Sequence, residues 1–214
     1  MSNIPALLVT AIVWLYWLSV GVMIVRSRLR LQSAAGAVPR TGREQWMWLV
    51  WVPTVIAWHL LPILAHTSEM TFIAAPTWAS GPAYSVINWM AVPLAAAAYG
   101  FTVPCWLAMG SNWSLAVVPE KQTSLITDGW YGRVRHPIYS LGLVLMLATI
   151  LAAPSAAVLL LAASHSTLIL LKVLNEESHL LVRHGQDYHE YRQRTGRFIP
   201  RLTLIAPPAS PTHT

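Results

Sequence analysis

The chain has 214 residues, 55% of them hydrophobic and only 10% charged, with a net charge of +6. At least three of its apolar runs are long enough to cross a bilayer, and they cannot all be buried in one soluble core of this size, so a water-soluble globular fold is excluded. A nucleic-acid partner is not expected either, because the basic residues do not lie on a soluble domain with base-stacking aromatics.

The first apolar run, Asn3 to Val25, is read as a true span. It lacks a basic leader, is too long for a signal peptide and is followed at once by Arg26-Ser27-Arg28. Trp46 to His66 and Ala83 to Met109 are the second and third spans. Pro53, Pro62, Pro93 and Pro104 lie inside them and are expected to kink them. Cys105, the single cysteine, falls in the third span and reads as a small buried apolar residue.

Ile138 to Ala153 and Ser155 to Leu171 are shorter, each reaching only about 24 Å at ~1.5 Å per residue. Pro154 separates them, which predicts a helix, a tight turn and a return helix, with both outer ends on the same side of the membrane. The return helix is expected to run on through His184 and to end at Gly185. Tyr188 and Tyr191 then share one face of an amphipathic helix and read as interfacial anchors. From Ala206 onward the composition is that of a disordered end. The expected class is therefore all-α, a polytopic helical membrane bundle. Residues 1–110 form the N-terminal membrane helices, 111–200 a catalytic region with the hairpin and tail, and 201–214 the disordered end.

The basic residues give an independent topology. Arg26, Arg28, Arg30, Arg40 and Arg43 lie between the first two spans; Lys121, Arg133 and Arg135 precede the hairpin; Lys172 and the arginines from Arg183 to Arg201 follow it. The loop from Thr67 to Pro82 has none. The positive-inside bias then puts the N-terminus outside and the C-terminal tail in the cytoplasm, with anionic headgroups as a second partner for the positive charge.

The chemistry is expected where polar residues meet the mouths of the hairpin. Pro137 suits the first position of a helix and holds His136 out of it, so Arg135 and His136 are aimed at the mouth. The unpaired N–H groups of that helix start, with Arg135, favour a carboxylate or phosphate. Asp128-Gly129 is a turn that folds Leu125 and Ile126 back toward the same place. Arg135 and His136 could equally be simple headgroup anchors. On the return helix Lys172 and Glu176 lie one turn apart and converge with Tyr139, while Glu177 reads as a solvated charge. His179, His184 and His189 are five apart, which does not suit a metal site on one helical face, and no metal is expected.

The sequence contains, in order, Leu125-x-Thr127-x-Gly129-x-Tyr131, Arg135-His136-Pro137-x-Tyr139, an apolar hairpin, Glu176-Glu177, Gly185-x-x-Tyr188-x-x-Tyr191 and Arg197-Phe198-Ile199-Pro200. Over roughly Asn112 to Pro200 this resembles the isoprenylcysteine carboxyl methyltransferase and phospholipid methyltransferase superfamily of integral membrane enzymes. The resemblance implies S-adenosylmethionine as cofactor, held by Thr123, Ser124, Leu125, Ile126, Tyr131, His136, Pro137, Ile138, Tyr139 and Glu176. It implies direct methyl transfer to a lipid, isoprenoid or other apolar acceptor. His136, Glu176 and Arg135 are the expected catalytic residues, with His136 and Glu176 the nearest groups for proton removal. The substrate-contacting arginine of the prenylcysteine branch is replaced here by Lys172, and His184 stands where an aromatic is common. Lysine cannot grip a carboxylate with the two-pronged geometry of arginine. Two other readings remain open: a nicotinamide-dependent membrane sterol reductase, some of which carry a similar Arg-His-Pro-x-Tyr stretch, and a non-catalytic module of the same fold.

Overall fold

The computed structural model describes residues 3–31, 42–113 and 124–201. Five α-helices account for most of these residues: α1 Ile4–Leu31, α2 Gly42–Leu64, α3 Pro82–Met109, α4 Pro137–Ala152 and α5 Ala156–Arg194. Four of them contain segments long and apolar enough to cross a membrane: Ile4–Leu29, Gln45–Leu64, Pro82–Met109 and Ala156–Arg194. α4, at 16 residues, is the short apolar one. The outward faces carry Leu18, Leu49, Ile56, Met90 and Leu107, all more than half exposed, as expected where lipid rather than water is the surrounding medium. The protein is an integral membrane helical bundle.

In lipid an apolar face gains little by leaving its solvent, so helices associate through close packing and hydrogen bonds. α3 supplies the close packing. Ala91, Ala95 and Ala98 recur every three or four residues, are almost fully buried, and form one cluster with Leu145, Met146, Ala148 and Ala152 of α4. The α3–α4 contact is the most extensive in the molecule. From α1, Val9 and Val13 join the same cluster, as does Trp58 from α2. A buried indole N–H needs an acceptor, and Trp58 Nε1 donates to Thr149 Oγ1 at 2.9 Å. The hydroxyls of Ser19 and Tyr99 tie α1 to α3 at 2.9 Å.

The helix-turn-helix hairpin forms as the proline spacing predicts. After α4 the chain turns through Ala153 and Pro154, and Ser155 caps α5, its hydroxyl accepting from Val158 N at 3.2 Å. The hairpin tip is docked onto the α2–α3 connection. Ala157 N donates to Phe72 O at 2.9 Å, Tyr84 Oη to Leu151 O at 3.0 Å, and His66 Nε2 lies 3.2 Å from Ala152 O. The hairpin mouth therefore lies at the opposite end of the bundle.

At the far end of α5 one expectation holds and one is corrected. Gly185 ends the regular helix, as expected: its φ of 50° breaks the path, and a second helical stretch follows it to Arg194. The positive φ suits a residue without Cβ. Tyr188 and Tyr191, expected as interfacial anchors, are instead buried, their ring centroids 6.0 Å apart, and Tyr191 Oη donates to Tyr131 O at 2.6 Å. The redirected helix packs back on the loop before α4.

Candidate functional site

At the hairpin mouth Pro137 occupies the first turn of α4, and His136 is its N-cap with φ −125° and ψ 61°, outside the helical region as a residue before proline tends to be. The His136 side chain makes no capping bond. One turn into α4, Tyr139 Oη donates to Glu176 Oε1 at 2.6 Å. Lys172 Nζ lies 3.4 Å from the same oxygen, and His136 Nδ1 lies 3.9 Å from Glu176 Oε2. The Glu176 side chain keeps 24% of its surface exposed, enough to meet a ligand. The hairpin thus brings Tyr139, Lys172, Glu176 and His136 together, although 33 residues or more of chain separate the two helix mouths.

Glu177 is not a solvated charge. Its side chain is only 6% exposed, and it sits between two guanidiniums: Arg135 Nε donates to Oε1 at 3.0 Å, and Arg197 donates to Oε1 at 3.2 Å and to Oε2 at 2.7 Å. His136 Nε2 is 3.3 Å from Oε1 but is not aligned for a hydrogen bond. The physical reason is the chain after α5. It returns alongside the loop before α4, pairing Val134 with Gly196 in a parallel bridge. Arg135 N donates to Gly196 O at 2.8 Å, His136 N to Arg197 O at 3.1 Å, and Ser140 Oγ to Phe198 O at 2.8 Å. This strap, residues 195–199, brings Arg197 to Glu177 and lays Phe198 with its ring centroid 6.4 Å from that of His136. Gly196 is required: a Cβ there would stand 1.7 Å from Ile199 O.

Arg135 belongs to this hub. Besides Glu177, its guanidinium donates to Arg192 O at 3.2 Å and to Thr195 O, and its side chain is 8% exposed. The group expected to draw an anion is engaged with protein partners. The Glu177 carboxylate pushes the Arg197 guanidinium further above its ordinary pKa.

Ser124 is exposed, with its hydroxyl 3.1 Å from Asn112 Nδ2, and Leu125 and Ile126 are half-buried. Thr123 lies outside the described residues. The Asp128-Gly129 turn is present, with Tyr131 N donating to Asp128 O at 3.1 Å and Gly129 at φ 60°. Tyr131 is buried, and its hydroxyl donates to Cys105 O of α3 at 3.3 Å. Burial pushes that phenol above its ordinary pKa, so it stays protonated. Pro137 is buried and Ile138 half-buried at the α4 start. Among the described residues no group of three or more His, Cys, Asp or Glu could hold a metal ion.

The family model for phospholipid methyltransferase matches residues 86–187, taking in most of α3, all of α4 and the mouth of the hairpin. This segment belongs to the phospholipid methyltransferase family. It is thereby part of the isoprenylcysteine and phospholipid methyltransferase superfamily of integral membrane proteins, and a membrane methyltransferase is the kind of activity the family carries. Arg135, His136, Tyr139, Lys172, Glu176 and Glu177 all fall inside the match, whereas α1, α2 and the strap fall outside it. Among curated proteins, the chain is 36% identical over 101 residues to the nickel-cobalt-cadmium resistance protein NccN of Alcaligenes xylosoxydans xylosoxydans, covering 45% of this chain and 46% of the relative. It is 32% identical over 97 residues to the cobalt-zinc-cadmium resistance protein CzcN of Cupriavidus metallidurans, covering 45% of each. The matched region spans less than half the length of these relatives.

Proposed function

We propose that this protein is an S-adenosylmethionine-dependent methyltransferase acting on a lipid, isoprenoid or other apolar acceptor at the cytoplasmic face of a membrane. The observation that carries the reading is the convergence of Tyr139, Glu176 and Lys172 at the α4 start, inside the family-matching segment. The residues present fit the cofactor. The first N–H groups of α4 have no side-chain cap and suit a carboxylate, and Glu176 offers a partly exposed acidic partner for an ammonium or ribose hydroxyl. His136 Nδ1 lies 3.9 Å from Glu176 Oε2, so the ring stands beside the partly exposed carboxylate. Ser124, Leu125, Ile126, Tyr131, His136, Pro137, Ile138, Tyr139 and Glu176 would hold the cofactor, with Leu125 and Ile126 offering an apolar face to adenine.

When bound, S-adenosylmethionine supplies a methyl on a positively charged sulfur, which passes to a nucleophile as the carbon–sulfur bond breaks and a neutral thioether leaves. The protein's part is to orient and to exclude water, effects worth up to ~7 to 11 kcal/mol where alignment is good. A carboxylate or thiolate acceptor needs no base. For an amine or thiol, His136 or Glu176 would take the proton. Arg135 acts through position: it holds Glu177 and the strap, and so the backbone on which His136 stands. The orientation that goes with this proposal has the N-terminus outside and the tail inside; it is supported by Arg133, Arg135, Lys172 and Arg197 at the mouth end and by the lack of basic residues in the loop from Thr67 to Pro82.

The test is calorimetric binding of S-adenosylhomocysteine to the detergent-purified protein, with NADPH as the parallel titrant. Saturable binding of S-adenosylhomocysteine alone is expected. Binding of NADPH alone, or of neither, would overturn the reading.

A further inference from the structure

We propose that Tyr16 of α1 completes the candidate cofactor site, its hydroxyl oxygen facing the positively charged sulfonium of S-adenosylmethionine. The inference rests on the methyltransferase reading above and adds a contact from a helix that lies outside the family-matching segment. Three helices meet at the buried Gly142 of α4. A Cβ built there would stand 4.0 Å from Tyr16 Oη of α1 and 4.0 Å from Ile169 Cδ1 of α5. Gly142 lies one turn after Tyr139, and Ile169 lies two turns before Glu176 on the same side of α5, so this point is the floor beneath the bond from Tyr139 to Glu176.

Tyr16 is partly buried against the core, its ring centroid 5.5 Å from that of Trp17 and 5.3 Å from that of Trp106 on α3. These neighbours fix the ring, and the hydroxyl reaches α4. Among the described residues that hydroxyl has no hydrogen-bond partner. A tyrosine hydroxyl inside a membrane bundle ordinarily finds one, as Tyr99 does with Ser19 at 2.9 Å. Tyr16 therefore holds an uncommitted oxygen beside a site where Glu176 Oε1 already accepts from Tyr139 and lies 3.4 Å from Lys172 Nζ. A sulfonium is a cation with no N–H or O–H to donate, and its charge spreads onto the carbons bonded to sulfur. A neutral oxygen can meet it by accepting from the polarised methyl C–H groups, contacts that are weak between neutral partners and strengthen when one is charged. With the carboxylate at the α4 start, the short carbon chain of the cofactor leads inward along α4 toward Gly142, where this oxygen stands.

S-adenosylmethionine and S-adenosylhomocysteine differ by one methyl and its positive charge, so the ratio of their affinities reports what faces the sulfur. Both are titrated calorimetrically into the full-length detergent-purified protein and into Tyr16→Phe, which keeps the ring and its packing on Trp17 and Trp106. In Tyr16→Phe the ratio is expected to shift at least about threefold toward S-adenosylhomocysteine, whose own affinity stays within about twofold of wild type. Tyr99→Phe is the control. It removes the hydroxyl tie between α1 and α3 and should leave the ratio unchanged.

An unchanged ratio in Tyr16→Phe, or equal weakening of both ligands, would overturn the contact with the sulfonium. A shift of the same size in Tyr99→Phe would overturn it too, because the effect would then trace to α1–α3 packing. In each of these cases S-adenosylhomocysteine still binds the wild-type protein, so this inference falls and the methyltransferase reading stands. If the wild-type protein binds neither ligand, that reading falls and this inference with it.

Discussion

Glu176 and Glu177 are neighbours on α5 with opposite surroundings, and their substitution should separate ligand binding from stability. Glu176 is partly exposed, and its pairing with Lys172 one turn away is of the kind that contributes only tenths of a kcal/mol. Glu176→Ala is therefore expected to leave the thermal midpoint nearly unchanged while weakening S-adenosylhomocysteine by more than about tenfold, ~1.4 kcal/mol, in calorimetry. His136→Ala should weaken it comparably. Wild-type affinity in both variants would remove the site. Glu177→Gln removes a buried charge from between Arg135 and Arg197, a class of change that costs roughly 3–5 kcal/mol. The lower end, about 3 kcal/mol, is expected because the Arg197 side chain is one-third exposed, and the readout is a marked fall in thermal midpoint in detergent. A midpoint equal to that of Glu176→Ala would mean the hub contributes little. The difference between the two glutamates was not legible in the sequence. Helical spacing pairs Glu176 with Lys172, but the partners of Glu177 come from 42 residues before it and 20 after, the latter beyond a break in the helix.

At the level of elements, the hairpin is held at both ends by different devices. At the tip, Ser155 is a helix cap, and Ser155→Ala should cost about 1 kcal/mol of stability with S-adenosylhomocysteine affinity unchanged. At the mouth, Gly196→Ala forces the strap away from Ile199 O and disrupts the bonds from Arg135 N and His136 N. Its expected signature is loss of S-adenosylhomocysteine binding with far-UV helicity retained; intact affinity would show that the strap does not position His136. The hairpin itself could be read from two apolar runs too short to cross and the proline between them. Gly185 could be read as the end of the regular helix, and its φ of 50° breaks the path there. What the sequence did not show is that the helical stretch beyond it turns back and buries Tyr188 and Tyr191 against the loop before α4.

For the whole molecule, apolar run lengths gave the first three spans to within a few residues and the fold class followed, whereas the fourth candidate span, Ala156–Arg194, runs well beyond the apolar segment from Ser155 to Leu171. The partition of charge also gave an orientation that can be checked directly. In a Cys105→Ala background, a cysteine at Glu69 on the α2–α3 connection should react with an impermeant maleimide in intact cells, and one at Gln186 only after the membrane is opened. The reverse pattern would invert the topology. What sequence could not supply was the relation of α1 and α2 to the hairpin, because helix faces that all read as apolar carry no periodic signal for which neighbour each one meets.

The shortness of α4 has a consequence for the surrounding lipid. Its 16 residues reach about 24 Å against a hydrocarbon layer of ~30 Å, and its tip is hydrogen-bonded to His66 of the α2–α3 connection and to Tyr84 of α3. The mouth cannot slide outward to meet the surface, so either the bilayer thins around it or the polar cluster sits sunken below the headgroups. Such hydrophobic mismatch costs fractions of a kcal/mol per ångström, and it makes the thickness of the host membrane a determinant of how easily a water-borne ligand reaches Glu176.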